Sequence, residues 1–224
     1  MRDDYQLDEP VESSSTPSVR PSLPYQSVTQ SLPPIATPNL EMLARGTIFV
    51  GFREATLKLW GKAGLEHVAA LLPDDVRSTT VDRTVSDVAW LPESYVLAWY
   101  QALWSGPCRG SRELFIPVLN RMMDFSFGRV RKGLLALANP SKMIVKAGAL
   151  WRFDHTHGDL TVEAAEGAAQ VRLENHPYTE HALSCMAIAE IWRYCVALCR
   201  ARGVTETHYR EPSGALVVRV RWDA

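Results

Sequence analysis

Beyond residue 40 the apolar positions follow two periods, first three-to-four, then two, then three-to-four and two again. The ordered pattern begins with a run bounded by glycines, Gly46-Thr-Ile-Phe-Val-Gly51, which predicts a short buried strand. Ala55, Leu57, Leu59 and Trp60 predict a helix over 52–60 stopped at Gly61, and a second follows over 65–72, stopped by Pro73. Residues 74–87 are polar and loosely patterned, a loop with a short helical piece. Pro92 opens a stronger helix with Tyr95, Val96, Trp99 and Leu103 on one side, proline being suited to a first helical turn. After the break at 105–110, Ser111 reads as an N-cap, and the next helix carries Phe115, Val118, Met122 and Phe125. Its apolar face must shift at Gly128 to take in Val130, Leu134 and Leu137 before Asn139-Pro140 ends it. Residues 140–150 suit a short helix.

The period then drops to two. Residues 151–155, 160–163 and 170–174 alternate apolar and polar, with 157–159 and 166–167 as turns, which predicts an antiparallel meander with one buried face. A long helix over 179–202 follows. Its stripe of Cys185, Ile188, Ala189, Trp192, Cys195, Val196 and Cys199 is too apolar to stand alone. Residues 204–209 and 216–222 form a closing hairpin that ends on alternating Val218, Val220 and Trp222. The pattern predicts an α+β domain over 41–224, a helical layer packed on an antiparallel sheet, with a C-terminal helix followed by a β-hairpin.

Composition sets residues 1–40 apart. They hold seven of the 14 prolines among Ser, Thr and Gln, and five acids against two arginines, a net of -3 that leaves +2 on the rest of a chain of net charge -1. Such a segment cannot bury enough apolar surface to offset its ordering entropy, so a disordered tail is expected. Its Pro21-Ser22-Leu23-Pro24 is a minimal PxxP pattern, and Thr16-Pro17 and Thr37-Pro38 suit proline-directed phosphorylation. A near-neutral chain has no field to drive nucleic-acid binding, and no long uncharged apolar run predicts a membrane span. No secretory signal is legible, which places the chain in the cytoplasm. Four cysteines lack any CxxC pair, and three of them share one helix, so burial as free thiols is expected.

The sharpest metal candidate is the run 154–159, where His155 and His157, two residues apart in an extended chain, face the same way, with His176 or an acid as third ligand. A polar turn at Gly158-Asp159 is the simpler reading, so no metal and no cofactor are expected. Cys195 and Cys199, at i and i+4, suit core packing better than a thiophilic ion or an acyl chain. His181 stands one turn before Cys185, with no oxyanion-hole motif beside it. There is no GxSxG, P-loop or GxGxxG, and catalysis is not expected. Arg121, Arg129 and Lys132 lie within one helical arc and suit a partner-binding basic stripe. Phe115, Met122, Phe125, Trp192, Cys195 and Cys199 are the residues expected to line an apolar ligand site, if the core is not filled.

Arg45-Gly46-Thr-Ile-Phe, Trp90-Leu-Pro92, the glycine-flanked basic run 128–133, residues 158–162 and 172–177, and Val218-Arg-Val-Arg-Trp222 carry a resemblance. From Gly46 onward the chain resembles a large paralogous family of uncharacterised myxobacterial proteins. Its terminal helix–hairpin unit is similar to 4-vinyl-reductase sensor domains and, more distantly, to small subunits of TRAPP tethering complexes. The resemblance implies a helical layer on an antiparallel sheet, no catalysis, and binding of a hydrophobic ligand or a protein partner. Many sensor-domain relatives carry a Cys–Gly–Cys pattern at the last turn, whereas residues 207–215 here hold no cysteine, so no functional residue carries over. The expectation is a non-enzymatic sensor or adaptor that binds a protein partner or a small apolar ligand, with a homodimer left open. The alternative is a metal- or thiol-dependent enzyme using His155, His157 or the helix cysteines.

Overall fold

A computed structural model describes residues 42–223; of Arg129, Val130, Arg131 and Leu134 only the backbone is described. The tail expected to be disordered, with its PxxP and Thr-Pro patterns, lies outside the described residues.

Strand β1 (Leu43–Arg45) runs directly into helix α1 (Gly46–Leu71). The glycine-bounded run expected as a strand is therefore the start of a helix, with Ile48, Phe49, Phe52, Ala55 and Thr56 as its buried positions. A short apolar run fits a buried strand and a buried helix equally well, and packing decided between them. Gly51 allows α1 to approach the fourth helix closely, since a Cβ there would stand 2.6 Å from Ser126 Oγ and 2.9 Å from Met122 Cγ. At Gly61 the backbone reaches φ +67°, so the expected stop between two helical pieces is a sharp bend.

Helix α2 (Asp74–Thr80) precedes β2 (Trp90–Pro92), which pairs antiparallel with β1, Leu43 opposite Pro92 and Arg45 opposite Trp90. Helix α3 (Glu93–Ser105) follows with Pro92 as its N-cap and buries Val96, Trp99 and Leu103. Helix α4 (Arg112–Ala136) is capped as expected, Leu114 N–H donating to Ser111 Oγ at 3.3 Å. Phe115, Val118 and Met122 are buried along it, but Phe125 is 42% exposed and Leu137 81%. The helix breaks at Gly128 (φ +59°), and beyond it Leu135 turns inward in place of Leu137. The face does shift at this glycine, by an angle that periodicity alone does not supply.

Helix α5 (Pro140–Ile144) is capped by Asn139, whose Oδ1 accepts from Lys142 N–H at 3.3 Å. Helix α6 (Ala147–Asp154) replaces the expected strand at 151–155. Alternation over five residues is weak, and Ala147 and Trp151 are buried one helical turn apart. The sheet contains β3 (Asp159–Ala165), β4 (Ala168–Glu174), β5 (Arg202–Arg210) and β6 (Leu216–Asp223), all antiparallel in the order β3-β4-β6-β5. The last strand thus lies inside the sheet, burying Leu216, Val218, Val220 and Trp222 while Arg219 and Arg221 face solvent. Helix α7 (Ala182–Leu198), shorter than the expected 179–202, packs against α4 and across β5 and β6. The result is the expected α+β architecture. No helix among the described residues is long and apolar enough to cross a membrane.

Candidate functional site

Where α1, α3, α4, α6 and α7 converge they leave a cavity of about 60 Å³. Ile48, Val96, Met122, Ile188 and Trp192 make its wall largely apolar, and Glu93 and His155 form a polar corner. Trp192 is buried, and its indole N–H has no partner among the described residues. An unmet buried donor costs about 1–3 kcal/mol, so the wall holds one group that an incoming acceptor would satisfy.

The polar corner belongs to a larger cluster, assembled from the start of α3 and two loops, those after α6 and after β4. Glu93 is the first residue of α3, where the helix dipole favours a carboxylate. His155 caps the C-terminus of α6 in extended conformation and bridges to Ala44 of β1. Next to it, Thr156 N–H donates to Leu43 O at 3.0 Å, and Leu43 N–H donates to Thr156 Oγ1 at 2.9 Å. Gly158, at φ +81°, turns the chain so tightly that a Cβ would meet Leu173 Cδ1 and Trp151 Nε1 at 2.9 Å. That turn tucks His157 inward, while its carbonyl accepts from Trp151 Nε1 at 2.6 Å. His176 arrives from the β4–α7 loop, held by Asn175, which donates to Asp159 Oδ2 at 2.7 Å.

Within this cluster His155 Nδ1 lies 3.0 Å from Glu93 Oε2, His157 Nε2 3.8 Å from the same oxygen, and His176 Nε2 3.5 Å from Glu93 Oε1. Trp151 stacks on the His155 ring at 3.9 Å. All four side chains are buried: that of His157 is 6% exposed and that of His176 1%. Burial alone would push the Glu93 carboxyl up, but the charge and hydrogen bond of His155, joined by His176, hold it well below the usual carboxylate range. Burial pulls His157 down to about 4, so its ring is neutral at ordinary pH. Among the described residues neither nitrogen of His157 has a hydrogen-bond partner, and His176 Nε2 reaches only Glu93 Oε1, at 3.5 Å.

The structure distributes the sequence-selected residues unevenly. His155, His157 and His176 come together, joined by Glu93, which the sequence did not single out; the turn expected at 157–159 is present as well. Met122, Trp192 and Cys195 line the cavity. Phe115 and Cys199 are buried away from its wall, and Phe125 is largely exposed. All four cysteines are buried free thiols, and burial pushes Cys199 up to about 11, which makes it a poor nucleophile. His181 contacts Gln101 Nε2 at 3.1 Å. In the basic stripe, Lys132 pairs with Asp124 at 2.5 Å and Arg121 reaches it at 3.6 Å; the Arg129 side chain lies outside the described residues.

Solved structures identify the architecture. An Fe(II) unliganded H-NOX protein from K. algicida is superimposable over 80% of this chain and 97% of its own, with a TM-score of 0.57 and 11% identity. The fold is that of H-NOX domains. An oxygen-binding H-NOX domain related to soluble guanylate cyclases matches over 80% and 95% of the two chains, with a TM-score of 0.55 and 12% identity. An H-NOX protein from S. oneidensis gives 0.56 at 11% identity. This overturns the resemblance drawn from the sequence, to the myxobacterial paralogous family and through it to 4-vinyl-reductase and TRAPP-type domains. A covering helix followed by a hairpin is common to several α+β folds, and only the strand order with the whole helical layer separates them. No family model and no curated protein sequence matches the chain.

Proposed function

We propose that this chain is a non-enzymatic sensor domain, and that its signal is the occupation of the helical-layer cavity by a molecule of diatomic or triatomic size. The supporting observation is the small cavity volume, about 60 Å³. One water needs about 10–15 Å³ of such space, so the cavity suits a molecule of only a few heavy atoms. Its apolar wall favours a poorly hydrated molecule, and the unpaired Trp192 N–H favours one that carries an acceptor atom.

One structure that shares this fold is described by heme distortion in the H-NOX family. Heme does not fit here. Ligand pockets of drug-sized groups run to about 300–1,000 Å³, several times this cavity. The histidine on the cavity wall, His155, gives Nδ1 to Glu93 and a ring face to Trp151.

Xenon dissolved under pressure is the probe, read by backbone and indole N–H resonances. Saturable shifts at Val96, Ile188 and the Trp192 indole are expected, and Ile188→Phe, which fills the space, is expected to abolish them. Absence of saturable shifts, or their persistence in Ile188→Phe, would overturn the reading. Overpacking costs about 1–3 kcal/mol, so the folded state of the variant is checked by circular dichroism.

A further inference from the structure

We propose that Glu93, His155 and His157 form a binding site for one divalent first-row transition ion. The donor set is two imidazoles and one carboxylate, which suits zinc or ferrous iron. Three observations carry the assignment. The donor atoms of the three residues all lie within 4.8 Å of one another. Glu93 Oε2 stands 3.0 Å from His155 Nδ1 and 3.8 Å from His157 Nε2. Tetrahedral bonds of about 2.0–2.1 Å place ligand atoms about 3.3 Å apart, so the two distances to Glu93 need adjustments of only a few tenths of an ångström. The His157 side chain is buried, and neither ring nitrogen has a hydrogen-bond partner among the described residues, a costly state for a purely structural side chain.

The remaining histidine holds a different position. Tyr178 N–H donates to His176 Nδ1 at 3.2 Å, so in the neutral ring the hydrogen is on Nε2, which points at Glu93 Oε1 from 3.5 Å. His176 is therefore a positioning residue for the carboxylate, comparable to the outer partners that orient metal ligands elsewhere. The ion takes the place of the hydrogen between His155 Nδ1 and Glu93 Oε2, and the neutral ring then carries its hydrogen on Nε2. Three protein ligands leave coordination open to a small molecule, and Glu93 and His155 also line the cavity.

The proposal goes beyond the cavity reading and does not depend on it, because ion uptake and xenon uptake are separate measurements. Full-length protein stripped with chelator is dialysed against zinc, cobalt(II) or, without oxygen, ferrous iron, and bound ion is quantified by mass spectrometry. One equivalent per chain is expected, with a cobalt spectrum of nitrogen and oxygen ligation. His157→Ala and Glu93→Gln are expected to weaken binding at least about 100-fold, given how much of a metal's binding energy each ligand carries. The exposed His67→Ala is expected to leave it unchanged. Glu93→Gln disturbs a buried hydrogen-bonded network, so His157→Ala, which removes no hydrogen bond made by the ring, is the deciding variant. Substoichiometric uptake by the wild type would overturn the proposal. So would full affinity in a folded His157→Ala protein.

Discussion

Two buried tryptophans separate packing from hydrogen bonding in this core. Trp99 stacks on Phe52 at 5.4 Å and donates Nε1–H to Thr80 Oγ1 at 2.9 Å. Trp192 is almost as buried, but its N–H has no partner among the described residues. Both Trp→Phe changes remove similar ring volume, and only Trp99→Phe breaks a buried hydrogen bond. Its cost in urea denaturation is expected to exceed that of Trp192→Phe by about 1 kcal/mol or more. Equal costs would show that the Trp192 indole already has a partner, which would remove the donor assigned to the cavity wall.

At the scale of elements, glycines decide where helices meet. Gly51 and Gly133 both lie in helices, α1 and α4, so alanine brings the same gain in helix propensity, about 0.5–1 kcal/mol. A Cβ at Gly133 meets nothing within 4 Å, and Gly133→Ala is expected to raise the melting temperature. At Gly51 the added carbon collides with Ser126 and Met122, so Gly51→Ala forces α1 away from α4 and is expected to lower it. Since Ile48 and Met122 both line the cavity, the same change is expected to alter xenon shifts. Opposite signs for two identical substitutions are the result to look for; like signs would mean the α1–α4 contact is looser than described.

At the scale of the whole molecule, the C-terminal strand is the keystone of the sheet. β6 pairs with β4 on one side and β5 on the other, so the chain's last segment joins two parts that are otherwise separate in sequence. Trp222 is 8% exposed, on the same face of β6 as Val218 and Val220. Trp222→Ala is expected to cost about 3–5 kcal/mol, a large part of the 5–15 kcal/mol that holds a typical domain. Chemical denaturation checks this, and wild-type stability would contradict the inward register, because a one-residue slip exchanges the two faces.

Local physics was legible in the sequence. Period two at 160–163, 170–174 and 216–222 marks three strands, the stripe from Cys185 to Cys199 marks α7, and Ser111 marks a cap, because such signals depend on neighbours in the chain. His155 and His157 stand out in the sequence as alternate residues of a strand, but that strand is the end of α6, and it is the turn at Gly158 that tucks His157 inward beside His155. Short runs were not: 46–51 and 151–155 are too brief for either period to dominate, and packing made both helical. Leu137 failed because the bend at Gly128 turns the following face by an amount no periodicity contains, and Phe125, ahead of the bend, is exposed although Met122 one turn before it is buried. The candidate site was half visible. Glu93 reads in sequence as a helix-start acid with every reason to be solvated. It is 62 positions from His155, and it becomes buried only because β1 zips β2 to the loop after α6. Proximity across such a separation is decided by topology, and the sequence constrains topology only through the sum of all its contacts.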